Sequence, residues 1–248
     1  MNVHSIEIAG SGGPNPASFF ANFRFAAARQ RMAEVLKSLT HDEALVATRR
    51  RQIFVAACRV LERKSFHEAT VKELALEAGL AAGSIYVYLQ GKDDILLLIA
   101  DSMVAELEEK LPEIHTRATD DPRRELLEVA RTVVDVIDRY REAFSVLHHE
   151  VRYLARRPQY RVALGRITDR YLSAVAGVLR RGKARGVIHY RHERSVVEAI
   201  HMLCAGWATG ANYLKDTTKE SYWREISAII EGWLFAANAN AANGPAPR

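Results

Sequence analysis

Between Thr70 and Lys92 the chain reads TVKELALEAGLAAGSIYVYLQGK, a stretch that sets a hydroxyl, two phenols and a cation within nine residues. Ser84, Tyr86, Tyr88 and Lys92 are groups that suit phosphate oxygens, contacts that position a protein on a duplex without reading its sequence. Ala82 and Gly83 place almost no side chain between the backbone and an approaching surface. A second concentration lies downstream, where residues 152–191 hold eleven Lys or Arg against one acid, Asp169, a net charge of +10. Arg152, Arg156, Arg157, Arg161, Arg166 and Arg170 alternate there with Tyr153, Tyr160 and Tyr171. Guanidinium forks bind phosphates in pairs, and phenol rings suit a planar base or an acyl chain. A solvated helix face and a second DNA-facing patch are the other readings of the same block.

His148-His149-Glu150 has part of a zinc-protease helix, but that pattern needs a second histidine at 153, where Tyr153 stands. Adjacent helical residues point to different faces, so no metal site is expected. The chain has no Gly-rich phosphate loop, nucleophile elbow or carboxylate dyad, and the expectation is a protein that is not an enzyme and needs no cofactor. His148, His149 and His201 remain candidates to line a pocket.

The elements that position these residues are helical throughout. Apolar residues recur at three and four, and strand patterns are nearly absent. Thr70 with Glu73 three residues later is a capping box, which predicts a helix over 71–78. Gly79 supplies a left-handed turn, Leu80 plugs the angle, and a second short helix is expected over 82–88 with Ile85 inward. Two short helices joined by a tight turn form a helix-turn-helix, the second helix free to enter a major groove. A preceding helix at 43–64 carries Ile53, Phe54, Ala57, Val60 and Leu61 on one stripe, and a following one spans 92–110. Pro112 and Asp120-Asp121-Pro122 mark a boundary, beyond which helices are expected at 123–140, 142–156, 158–185, 193–214 and 219–238.

The fold class is therefore all-α, in four parts. Residues 1–44 are an extension with a possible helix at 17–39, 45–92 the helix-turn-helix domain, 93–238 a larger bundle, and 239–248 a frayed tail. No apolar run approaches the roughly 18 residues that span a bilayer, and no secretory signal pattern opens the chain, so no membrane partner is expected. Cys58 and Cys204 lie far apart inside helical patterns and read as small buried residues of a reducing compartment, which makes the cytoplasm the expected location. The net charge of +5 hides a division: +4 over residues 49–92, −7 over 93–121 and +9 over 122–192.

From Arg51 to Ala100 the sequence resembles the TetR family of regulators. The likeness rests on Ile53 and Ala57, Phe66 and Thr70, Leu74-Ala75, Ala78-Gly79, Gly83-Ser84-Ile85-Tyr86, Lys92-Asp93 and Ile95-Leu96, all in order. It implies a three-helix DNA-binding domain followed by a ligand-binding and dimerisation bundle. It also implies DNA contact by Thr70, Val71, Lys72, Ala81, Ala82, Gly83, Ser84, Tyr86, Tyr88 and Lys92. Two residues depart from the pattern: Ala81 stands where a Ser or Thr is usual, and Leu89 where Phe is usual. Glu150-Val151-Arg152-Tyr153-Leu154 is similar to the fatty-acid-degradation branch, whose effectors are acyl-CoA thioesters.

The resulting expectation is a homodimeric repressor of operator DNA, released by a small-molecule effector. A CoA thioester or similar anionic amphiphile is expected at His148, His149, Arg152, Tyr153, Arg156, Tyr171, His201 and Trp207. The last two helices are expected to form the dimer interface through Leu203, Gly206, Trp207, Gly210, Ile226, Ile230 and Trp233, since two-fold half-sites need a two-fold protein. The rivals are an efflux-type repressor sensing a hydrophobic drug-like compound, and an all-α ligand-binding protein or enzyme that keeps the helix-turn-helix only as scaffold.

Overall fold

The computed structural model describes residues 43–118, 120–210 and 214–235. Its elements run α1 (Glu43–Leu61), α2 (Val71–Glu77), a 3₁₀ turn (Ser84–Val87), α3 (Asp94–Arg117), α4 (Pro122–Arg139), α5 (Arg141–Leu154), α6 (Pro158–Ala184), α7 (Glu193–Thr209) and α8 (Lys219–Leu234). All are helical, as the periodicity requires. The chain divides into two compact units, 1–46 and 47–248, and the buried core belongs to the second. The helix expected at 17–39, with Arg24, Arg29, Arg31 and Lys37, and the tail at 239–248 lie outside the described residues.

The capping box forms as its spacing dictates. Thr70 Oγ1 accepts from the Glu73 amide at 3.2 Å, and Glu73 accepts from the Thr70 amide at 3.0 Å. At the other end of α2, Gly79 takes φ +67°. Its amide donates to Leu76 at 3.0 Å and the Leu80 amide to Ala75 at 2.8 Å, the paired bonds of a Schellman turn. The same turn closes α6, where Gly186 has φ +69° and the Val187 amide reaches the Gly182 carbonyl at 2.9 Å. Ile53, Phe54, Leu74, Ala75, Ile85, Leu89 and Leu96 are buried in one core, so the apolar stripes of the N-terminal helices meet as their periods predict.

Two of the expected helix ends, those at 110 and 214, fall elsewhere, while the break expected at Asp121-Pro122 is present. Pro112 does not end a helix: α3 runs through it to Arg117. A proline there removes the amide that would bond the Glu108 carbonyl, but the residue is exposed, and Leu107 and Ile114 on either side are buried and hold the helix in place. The break falls instead at Asp121-Pro122. The Asp121 carboxylate accepts from the amides of Arg123 and Arg124, both at 3.1 Å, and Pro122 occupies a first-turn position that needs no amide. Lastly, α7 stops at Thr209 with Gly210 as its C-cap, short of the expected 214.

In the bundle, α3 packs on α4, α5 and α6, α4 on α6 and α7, and α8 lies across α4 and α7. Helices α5 and α6 approach each other less than either approaches α3, α4 or α7. The N-terminal domain is joined to this bundle by α3, whose buried residues from Ile95 to Ile114 lie in one core that runs through both.

Candidate nucleic-acid interface

The segment expected as a two-turn helix over 82–88 is a single 3₁₀ turn, Ser84–Val87. Its start has no side-chain cap: Gly83 stands at the N-cap, and the Ser84 amide is held by the Ala81 carbonyl at 2.8 Å. The cap position thus holds a residue with no side chain that could satisfy the first amides. Ile85 and Leu89 are buried and anchor the turn from below. Thr70, Lys72, Ala81, Ala82, Gly83, Ser84 and Tyr86 are all exposed, and Tyr86 keeps 59% of its surface accessible. The uncapped amides and the small residues thus lie on a free surface beside a projecting phenol.

Not every expected contact residue has that freedom. Val71 and Tyr88 are half-buried, both against the core. Lys92 Nζ donates to the His67 carbonyl at 2.8 Å and sits 4.8 Å above the Phe66 ring centre, so its first task is to fasten the turn to the loop before α2. An ammonium carries three donors, so one bond leaves others available. Asp94 fixes the far side of the same turn: its carboxylate accepts from the amides of Gln90 at 2.7 Å and Gly91 at 3.2 Å.

Polar contacts connect this turn to the bundle. Tyr160 donates to the other Asp94 oxygen at 2.9 Å, Arg157 pairs with Asp93, and His67 Nε2 lies 3.2 Å from Glu150. The sequence reading missed Asp93, Asp94 and Tyr160 as a group. Its signal was present as the acidic block at 93–121 facing the basic block at 152–191. That pairing changes the reading of the basic block. Arg170 binds Asp101 at 2.5 Å and is also paired with Glu108, Arg181 binds Glu125 at 2.5 Å and Arg180 binds Glu193 at 2.7 Å. At least four of the eleven cations, Arg157, Arg170, Arg180 and Arg181, are thus paired within the chain, so an anionic effector does not follow from the charge alone.

The eight residues expected to line an effector site separate into three places. Arg152, Tyr153 and Arg156 are exposed near the N-terminal domain, and Tyr153 receives a bond from Arg157 at 2.5 Å. Trp207 is buried elsewhere, donating from Nε1 to Asp138 at 2.8 Å beneath the Arg141 guanidinium, 4.0 Å from its ring centre. Tyr171 and His201 do meet, with ring centres 5.6 Å apart, and His148 stacks on Phe144 at 6.1 Å. The pKa of His201 is lowered, mainly by burial and also by the neighbouring His148, while His148 is lowered by burial and by His149. Both imidazoles are therefore neutral at pH 7. His149 turns the other way, exposed, its Nδ1 2.7 Å from the Ser145 carbonyl. Among the described residues no group of three His, Cys, Asp or Glu has metal-site geometry.

The expected dimer residues also divide. Trp207, Ile226 and Ile230 are buried within the protomer and leave no surface for a partner. Gly206 is occupied from inside, since a Cβ there would stand 2.4 Å from Tyr222 Oη, which itself donates to the Leu203 carbonyl at 2.6 Å. The helical period explains the division: one stripe of α8 faces the core, and a neighbouring one faces out. Trp233 from the expected set is 45% exposed, and with it Ile229 at 51% and Met202 at 52%. A groove of about 850 Å³ runs along α4 and α8, but Arg123 and Arg124 on its wall are already paired with Glu231 and Glu128.

Residues 53–99 match the family model for bacterial regulatory proteins of the tetR family. That stretch runs from within α1 through α2 and the 3₁₀ turn into the first turns of α3, so the likeness to the family lies in the helix-turn-helix. Beyond it, the chain is similar to the HTH-type transcriptional regulator HbdR of Aromatoleum sp. (strain CIB), 30% identical over 122 residues that cover 49% of this chain and 53% of that one. The match thus spans about half the length of that curated relative. Its fold resembles the Bacillus subtilis transcriptional regulator FadR solved with stearoyl-CoA, with a TM-score of 0.52 and 20% identity over 73% of this chain and 96% of that chain. It also resembles a Saccharomonospora viridis protein solved with choline, with a TM-score of 0.63 and 21% identity over 77% of this chain and all of that one. At these identities the likeness shows the fold: a tetR-type N-terminal domain followed by a helical C-terminal domain.

Proposed function

We propose that the protein is a dimeric, ligand-responsive transcription regulator that binds operator DNA through residues 70–92 and is not an enzyme. The observation that carries this reading is the surface at 81–86: uncapped amides, residues too small to obstruct, and Tyr86 beside them. Backbone amides and phenols at the tip of a helix-turn-helix suit DNA phosphates. Domain limits near 45–92 and 93–238 fit this division of labour. Two such units on a two-fold dimer would stand about one turn of duplex apart, roughly 34–36 Å. The exposed stripe of Met202, Ile229 and Trp233 supports a dimer through α7 and α8. Regulators of this kind work in the cytoplasm, and no described helix is long and apolar enough to cross a membrane.

The effector favoured is an acyl-CoA or a related amphiphile. Support comes from the similar B. subtilis protein solved with stearoyl-CoA and from the exposed Arg152 and Arg156. Effector binding would favour the DNA-free state, and by linkage DNA must weaken effector binding by the same factor. The test is fluorescence anisotropy with labelled duplex from upstream of the protein's own gene, with and without added acyl-CoA. Tight binding reversed by the ligand is expected. Absence of binding to that duplex would favour a scaffold-only helix-turn-helix.

A further inference from the structure

The basic block at 152–191 divides according to what each cation touches. At the corner between α5 and α6 the neighbouring acids are already engaged: Asp93 holds Arg157, Asp94 accepts from Tyr160 at 2.9 Å, and Glu150 lies 3.2 Å from His67. Arg152, Arg156 and Arg161 sit among these contacts, exposed and without an ion-pair partner among the described residues. Tyr153 stands with them, 45% of its surface accessible. The corner is also fixed in place. Arg157 and Tyr160 hold the two residues that open α3, and Glu150 meets the loop before α2. Lys92, next to Asp93 in sequence, ties that same loop to the turn through the His67 carbonyl. Arg156 precedes one of these braces and Arg161 follows the other, so both cations are carried beside the end of the helix-turn-helix.

We propose that the α5–α6 corner is a second DNA-binding surface, where Arg152, Arg156 and Arg161 bind backbone phosphates next to those met by residues 70–92. This rests on the DNA-binding reading above and extends it from the N-terminal domain into the bundle. Charge selects the occupant. A duplex carries one negative charge per about 1.7 Å of its axis, and guanidinium forks match phosphate oxygens in pairs. The corner continues the surface that already holds Tyr86 and Lys92, so one duplex meets both. Contacts of this kind fix the protein's placement on the duplex and read no sequence. An effector phosphate on Arg152 or Arg156 would compete with the duplex for the same groups, which makes the linkage between effector and DNA direct at this corner.

Salt titrations of duplex binding by the full chain test this, using the duplex upstream of the gene and an unrelated duplex of equal length. The double variant Arg156→Gln, Arg161→Gln is expected to lower the slope of log K against log salt by about one per cation removed. The drop should be the same on both duplexes, at an unchanged melting temperature. Arg156→Lys with Arg161→Lys keeps both charges and should restore the slope. The control is Arg191→Gln with Arg194→Gln, two exposed cations near the far end of α6, where Arg180 meets Glu193. It makes the same change in net charge roughly 35 Å away along that 27-residue helix and should leave the slope at the wild-type value. A wild-type slope in the corner variant, or an equal drop in the control, would overturn the proposal and leave the patch to another partner. Tyr86→Ala, titrated alongside, separates the two surfaces. Weakened binding by Tyr86→Ala with a wild-type slope in the corner variant removes the second surface and spares the first. The reverse result keeps the corner and removes the turn, and a wild-type protein that binds neither duplex refutes both.

Discussion

At Gly79 a single left-handed backbone angle turns the chain out of α2. Its φ of +67° is one that L side chains adopt at a cost of roughly 1–2 kcal/mol, and β-branched ones pay more. Open space surrounds its Cα, so the penalty of a substitution would be conformational and not steric. Gly79→Val is expected to lower stability by about 2 kcal/mol, read as a shift in the urea midpoint with unchanged slope. A second residue-scale prediction concerns His201. Its folded pKa lies below the ordinary 6.5 because burial disfavours the cation. The unfolded chain therefore binds more protons below pH 6.5, and stability should fall as pH drops through that value. His201→Gln should flatten that part of the curve in a urea–pH series, while the further loss below about pH 4.5 remains. That lower window belongs to carboxylates such as Glu106. Burial there acts to raise the pKa but is outweighed by the Tyr140 hydroxyl, Arg139 and Lys110.

At the scale of elements, α3 carries a proline in mid-course. Proline in a helix interior costs about 3 kcal/mol through its lost bond and its clash, partly offset by the stiffer unfolded chain. Pro112→Ala is expected to raise the melting temperature, by the equivalent of about 1 kcal/mol, because the Glu108 carbonyl regains its donor. The same helix shows what the sequence made legible. Capping boxes and glycine turns are local chemistry, so α2, its Schellman turn and the end of α6 could be read from Thr70, Glu73, Gly79 and Gly186. Proline's effect depends on whether neighbours hold the helix, and Leu107 and Ile114 do so through contacts far along the chain. Likewise the period marked α8 as amphipathic, but α8 is apolar on more than one stripe. Only the packed structure separates Ile226 and Ile230, which face α4 and α7, from Ile229 and Trp233, which face out. The 3₁₀ turn at Ser84–Val87 is shorter than the helix expected at 82–88, and its N-cap, Gly83, has no side chain to hold a longer helix's first amides.

For the whole molecule, charge and apolar surface have different destinations. The acidic block that opens α3 and the basic block around α6 read as opposite surface patches in the sequence, yet in the structure they meet, through Arg157 with Asp93 and Arg170 with Asp101 and Glu108. Arg170 is held between Asp101 and Glu108, and hydrogen bonding to Glu108 raises its pKa. Three of the exposed large apolar side chains, Met202, Ile229 and Trp233, lie on α7 and α8. Trp233→Arg should leave the protomer folded, because the side chain is not in its core, and should convert a dimer to a monomer in analytical ultracentrifugation. An unchanged sedimentation coefficient would move the interface elsewhere.

The central claim, that residues 70–92 grip DNA, is tested most directly by the salt dependence of binding to the duplex upstream of the gene. A protein that docks on phosphates releases counter-ions, so log K falls linearly with log salt at about 0.9 per phosphate contacted. The expected result is a steep line for wild type, with weaker binding in Tyr86→Ala at unchanged thermal stability. A flat line, or a Tyr86→Ala protein that binds like wild type, would contradict the account.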